Sequence, residues 1–153
     1  MAGISSLRAL VPLVARLVVA GAFAMAALPK IHDPVAFAGS VSAFRVVGPA
    51  LSAWVALVLP WLELVTAIGL LTPWLRRSSG LCINLLLLAF IALQASAWAR
   101  GLDIDCGCFG TKPAAAKSSH LWPILRNSAL LLAAAYLFAR DLLRNKERLK
   151  RSQ

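Results

Sequence analysis

Charge is scarce in this chain, and acid is scarcer still. Only 14% of its 153 residues are charged, and six Asp and Glu stand against 16 Lys and Arg. Soluble domains carry about 25% charged residues, so a water-facing globular surface is excluded for most of the length. No internal repeat and no pair of interrupted helices stands out, which counts against the repeat-built transporters. What fills the chain is apolar: 60% of residues are hydrophobic and the mean hydropathy is +0.78, with Leu and Ala in long runs. The length leaves no room for a second domain, so residues 1–153 read as a single membrane domain.

About 20 apolar residues cross a bilayer core, and four windows of that size lie between polar marks: residues 7–28, 50–72, 78–99 and 121–139. In lipid the backbone must bond to itself, which makes these windows helices, and short links make them an up-down bundle. The expected fold class is therefore all-α, an integral membrane four-helix bundle. Trp54, Trp74, Trp98 and Trp122 fall near the predicted ends, where indole rings favour the headgroup region; packing at a helix end would serve equally well. The first window competes with a cleaved signal peptide, since Arg8 precedes it and Ala24-Met25-Ala26 has the small residues of a cleavage site. Its length and the internal Arg16 favour a retained helix. Between the first two windows, Phe37, Val41, Phe44 and Gly48 recur at helical spacing. A short interfacial helix or a packed linker accounts for that pattern.

Lys and Arg set the orientation. Residues 140–153 form a basic tail with Arg140, Arg144, Lys146, Arg148, Lys150 and Arg151, and the link between the second and third windows holds Arg76 and Arg77. Four crossings put both on one side with the N-terminus, and the positive-inside rule makes that side the cytoplasm. The expected location is a bacterial inner membrane, multi-pass, with both termini cytoplasmic. The net charge of +10 then reads as topogenic charge near anionic lipid, and no nucleic-acid partner is expected.

The loop between the third and fourth windows carries Cys106-Gly107-Cys108, and it faces the periplasm in this arrangement, where disulfides persist. Two thiols this close exchange between dithiol and disulfide or hold a soft metal. The ring they close is small and strained, which makes the bond reducible, and Gly107 removes a Cβ clash. Asp103 and Asp105 beside the pair favour the protonated thiols, while Lys112 opposes them. With His32 or His120 the pair would make a site for Zn or Cu(I); an inert bridge or free thiols also fit the spacing. Cys82 lies 24 positions earlier, about 35 Å along a helix, and reads as a small buried residue out of reach of the loop.

Polar residues inside the windows complete the candidates. Arg16 and Glu63 each lie about nine residues, roughly 13 Å, from the cytoplasmic ends, and an isolated charge there is costly. They are expected to meet, or Glu63 to be neutral, as an intramembrane tie between helices, with a proton or quinone site as the alternative. Gln94, Arg126 and Asn127 share a depth near the outer face, where they floor a pocket beneath the cysteine loop or bond helices together. A quinone docking near Gln94 and Arg126 is compatible with these residues but not required by them.

Three stretches in order, Lys30-Ile31-His32-Asp33-Pro34, Leu59-Pro60-Trp61-Leu62-Glu63-Leu64 and Asp105-Cys106-Gly107-Cys108-Phe109-Gly110, resemble the MauE group of methylamine-utilisation membrane proteins, within the DoxX-like superfamily. The resemblance implies a four-helix inner-membrane protein that supports disulfide formation or maturation of a periplasmic client, in that family the small subunit of methylamine dehydrogenase. A periplasmic thioredoxin-like protein is the implied partner. Cys106 and Cys108 would be the redox pair, while Lys30, Asp33 and Glu63 match family positions without an assigned role. A thiol–disulfide oxidoreductase component is thus the leading expectation. The alternatives are a non-enzymatic scaffold or assembly factor and a small transporter or metal-handling protein with Glu63 in its path.

Overall fold

A computed structural model of the chain describes residues 2–102 and 121–151. Among them the elements are five helices and no strand: α1 Ala2–His32, α2 Pro34–Ala43, α3 Pro49–Leu71, α4 Arg76–Ala99 and α5 Leu121–Arg151. Four are long and apolar enough to cross a membrane, α2 being the short apolar helix between the first two. Each long helix packs on two others: α1 and α4 both touch α3 and α5, while α2 lies mainly against α3. The result is a four-helix bundle with a short helix on its flank.

Buried positions recur every three or four residues, the spacing that keeps one face of a helix turned to its neighbours. On α3 the stripe runs Ser52, Ala56, Pro60, Glu63, Ala67 and Leu70, and on α4 it runs Ser79, Ile83, Leu87, Gln94 and Ala97. Val19, Phe23 and Ala27 of α1 and Ala134 and Leu137 of α5 continue the core. The opposite faces expose Leu13, Leu17, Leu57, Val65, Leu85 and Leu132, as helices surrounded by lipid would. The four Trp at the predicted ends are all exposed.

Two helices run further than their apolar runs suggest. Pro29 lies inside α1, although the apolar pattern alone stops at that residue. A proline removes one intrahelical bond, and lipid-spanning helices tolerate it because the other backbone groups have no water to turn to. At the far end α5 continues through the basic segment to Arg151, so the stretch after residue 139 is helical and not a separate tail.

The helix ends are chemically marked. Asp33 caps α2, its Oδ1 accepting the Ala36 N–H at 2.9 Å, and Pro34 follows at the first helical position, where its missing N–H costs nothing. Gly101 takes the left-handed conformation with φ +64. Its N–H donates to Trp98 O and that of Leu102 to Ala97 O, both at 3.0 Å, the paired bonds of a Schellman motif. That glycine closes α4 and sends the chain towards residues 103–120. Two ends of the bundle follow: a tail end with the α3–α4 turn and the end of α5, and a loop end with α2 and the exit from α4. Near the latter, Arg100 Nη2 donates to Phe44 O at 2.8 Å, tying α4 to the end of α2.

Candidate functional site

The loop-end half holds a buried polar cluster. Lys30 Nζ of α1 donates to both carboxylate oxygens of Glu63 on α3, at 2.6 and 2.8 Å, and each side chain is only 1% exposed. The same ammonium lies 5.0 Å from the Phe37 ring centre and 5.1 Å from that of Phe90, within the range where a ring quadrupole attracts a cation. One charge thereby joins α1, α2, α3 and α4. The helical side-chain direction explains the reach: a residue near the C-terminus of α1 points back towards the N-terminus, so the Lys30 stem descends into the bundle.

The expected Arg16–Glu63 pair does not form. Arg16 pairs with Asp141 of α5, and Glu63 is taken by Lys30. The physical reason lies in the helix lengths. Because α1 continues to His32, Lys30 belongs to the span and not to a link, and because α5 continues past residue 139, Asp141 lies within helical reach of Arg16. Fourteen residues separate Arg16 from Lys30 along α1, about 21 Å of rise, so equal distance from assumed ends does not mean equal depth.

Gln94, Arg126 and Asn127 do come together. Asn127 Nδ2 donates to Gln94 Oε1 at 3.3 Å, and Arg126 Nη2 donates to Asn127 Oδ1 at 3.5 Å. A cavity of about 20 Å³ between Lys30, Glu63, Phe90, Arg126 and Asn127 joins this network to the ion pair and has room for about one water. Lys30, at a buried stripe position three residues after Ala27, is legible in retrospect as a polar residue in register with the core.

Cys106 and Cys108 lie outside the described residues, as do His120, Asp103, Asp105 and Lys112. Cys82, on the first turns of α4, is half-buried and carries a free thiol. His32 is exposed at the end of α1, and among the described residues no three His, Cys, Asp or Glu side chains gather as metal ligands.

A family profile for the methylamine utilisation protein MauE matches residues 8–140. The chain belongs to the MauE family. It is 39% identical over 113 residues to the methylamine utilization protein MauE of Methylorubrum extorquens, covering 72% of this chain and 59% of that protein. The proteins of the same name from Methylophilus methylotrophus and Paracoccus denitrificans are 35% and 36% identical over 130 and 128 residues, covering 84% and 83% of this chain. Those alignments span 68% and 67% of the two relatives, so the chain corresponds to about three fifths to two thirds of their length. No solved structure matches. The MauE match contains every member of the cluster, Lys30, Glu63, Gln94, Arg126 and Asn127, together with the Cys106-Gly107-Cys108 stretch.

Proposed function

We propose that this MauE-family protein serves methylamine utilisation from the bacterial inner membrane, as a thiol–disulfide exchange component that supports maturation of a periplasmic client. The observation that carries the proposal is the position of the thiol pair in the chain. In sequence, Cys106 and Cys108 fall between the glycine-closed end of α4 and the start of α5. Arg76, Arg77, Arg140 and Arg144 belong to the other end, which the positive-inside rule assigns to the cytoplasm.

The exchange runs through a mixed disulfide with a thioredoxin-like partner. A thiolate of whichever protein enters reduced attacks a sulfur of the other's disulfide; one S–S bond forms as the other breaks, releasing a thiolate that takes up a proton. The second thiol of the attacking pair then gives up its proton and attacks the first sulfur, closing a disulfide within that pair, and the partner's remaining sulfur leaves as a thiolate that takes up a proton. Two electrons pass between proteins, and the one that entered as a disulfide leaves as a dithiol. A disulfide between cysteines two positions apart would close a small, strained ring, and a glycine between them would ease its opening and closing. The buried cluster beneath supplies a fixed platform, since Lys30 holds four helices at the end from which the loop departs.

Single Cys106→Ser and Cys108→Ser variants test this. Removing the resolving thiol is expected to accumulate a disulfide-linked adduct that dissolves on reduction. If neither variant captures a partner and the client's redox state is unchanged, the exchange reading is wrong. A fully active Cys106→Ser/Cys108→Ser double variant would instead make the chain a non-enzymatic scaffold. The transport reading has less support, because Glu63, the carboxylate it requires in a path, is closed in by Lys30.

A further inference from the structure

The flank of α4 carries an amide where lipid offers it no partner. Asn84 lies about 12 Å along the helix from Arg76 and about 5 Å from its midpoint, well inside the span Arg76–Ala99, and it is half-buried. Its Nδ2 donates to Gly80 O, one turn back, at 2.7 Å. A backbone carbonyl only accepts, so that bond identifies the nitrogen and leaves over Oδ1 and the second N–H. Asn84 makes no other bond to the described residues. Oδ1 is not one of the closed-off polar atoms. Asn84 lines neither the cavity beside Lys30 nor a larger one between α2, α3 and α4, so its carbonyl opens onto the outside of the bundle.

Hydrocarbon supplies no hydrogen bond, so an open amide within a span is a cost that a polar partner at the same depth removes. The surface around Asn84 is laid out for a helix. Leu81, Asn84, Leu88, Ile91 and Ala95 recur at alternating steps of three and four residues, the spacing of a seam between two helices. Leu81 and Leu88 are 47% and 51% exposed, Ile91 is half-buried and Ala95 is exposed, so the chain's own packing leaves the seam open. The amide then selects the partner. It presents an acceptor of partial negative charge beside a donor of partial positive charge, and a second amide facing it complements both at once. Copies of this chain insert with one orientation, so a twofold axis along the membrane normal sets each Asn84 opposite its own counterpart at equal depth, with the two seams parallel. We propose that the chain forms a homodimer through the α4 seam, closed by reciprocal hydrogen bonds in which the Oδ1 of each Asn84 accepts from the Nδ2 of the other. Lipid ester carbonyls lie at the interface, away from this depth, and bring no donor. The dimer stands independently of the thiol reading, because it requires no thiol chemistry.

The test uses the full chain, fused to donor or acceptor fluorescent proteins and diluted with lipid in vesicles of phosphatidylethanolamine and phosphatidylglycerol. Energy transfer is expected to saturate with the protein-to-lipid ratio as a dimer does. Asn84→Leu should weaken association about tenfold, the worth of two interhelical amide bonds, while Asn84→Gln, which keeps the amide, should retain most of it. A second measurement leaves Asn84 untouched and keeps the proposal open to refutation should Asn84→Leu fail to fold. In a chain whose three native cysteines are replaced by Ser, Leu88→Cys in the seam should give a disulfide-linked dimer when membranes are oxidised. Val65→Cys, at a position 63% exposed on α3, should not. Energy transfer that never saturates, unchanged affinity in Asn84→Leu, or linkage through Val65→Cys in place of Leu88→Cys would overturn the dimer.

Discussion

Towards the tail end the helices meet through Val19, Phe23, Ala67, Leu70, Ile83, Ala134 and Leu137, with the Arg16–Asp141 pair beside them at 8% and 12% side-chain exposure. Towards the loop end the same stripes carry Lys30, Glu63, Gln94 and Asn127, all buried. The tail-end half closes mainly on apolar and small residues, with its one ion pair less buried than that of Lys30 and Glu63. Polar groups in lipid-spanning helices are expensive unless paired, and at the loop end Lys30 pairs with Glu63 while Asn127 bonds to Gln94. At that end the ion pair and a cleft of about 140 Å³ between α2, α3 and α4 share Phe37 and Phe90. The difference lies in where the buried ion pair and the amide pair sit, which is the end of the bundle that our proposed function uses.

The sharpest way to break this contrast is to take one partner from each ion pair. Lys30→Met leaves the Glu63 carboxylate buried alone, and Glu63→Leu does the same to the ammonium; each should cost about 3–5 kcal/mol in unfolding measured in detergent. The double variant Lys30→Met/Glu63→Leu should recover most of that loss. If it recovers stability and client maturation together, the pair is a tie between helices; recovered stability with lost maturation would give it a direct part in function. Arg16→Leu removes the less buried pair and should cost about 1–3 kcal/mol, with maturation retained in the folded fraction.

Smaller effects sharpen the same comparison. At the tail end a Cβ on Gly69 would collide with Ser79 Oγ and lie 3.2 Å from Ser79 Cβ, so Gly69→Ala should lower stability by about 1–2 kcal/mol through overpacking. The double variant Gly69→Ala/Ser79→Ala should regain part of it, read as a shift in melting temperature. At the loop end Asp33→Ala loses the α2 cap and should cost about 0.5–1 kcal/mol. Because α2 supplies Phe37 to both the ion pair and the cleft, that variant should also raise amide hydrogen exchange in α2 more than in α3.

Much of the fold was legible because apolar length is nearly sufficient to define a membrane helix. The windows 50–72 and 78–99 differ from α3 and α4 by one or two residues. Where local signals conflict with the surroundings, the surroundings win. Pro29 and Lys30 together mimic a helix end, yet the helix passes through both, and that misplaces Lys30 outside the bundle and leaves Glu63 to be matched with Arg16. The pairing itself is a long-range fact, 33 positions apart, which no local spacing contains. Gln94 and Asn127 were legible as neighbours because both lie near helix ends on one side, where a count of residues is a fair measure of depth. The cleft was not, because α2 reveals which way Phe37 and Phe44 turn only once it is packed on α3.

The central claim is that the Cys106 and Cys108 thiols work on the non-cytoplasmic side and cycle between dithiol and disulfide. A membrane-impermeant maleimide applied to intact cells, before and after mild reduction, measures both properties at once, with Cys82 near the opposite end of α4 as the internal control. The account predicts that reduction opens Cys106 and Cys108 to the reagent while Cys82 stays unlabelled until the cells are lysed. Labelling of Cys82 in intact cells with the loop pair protected would contradict the orientation, and a loop pair whose labelling never changes with reduction would contradict the chemistry.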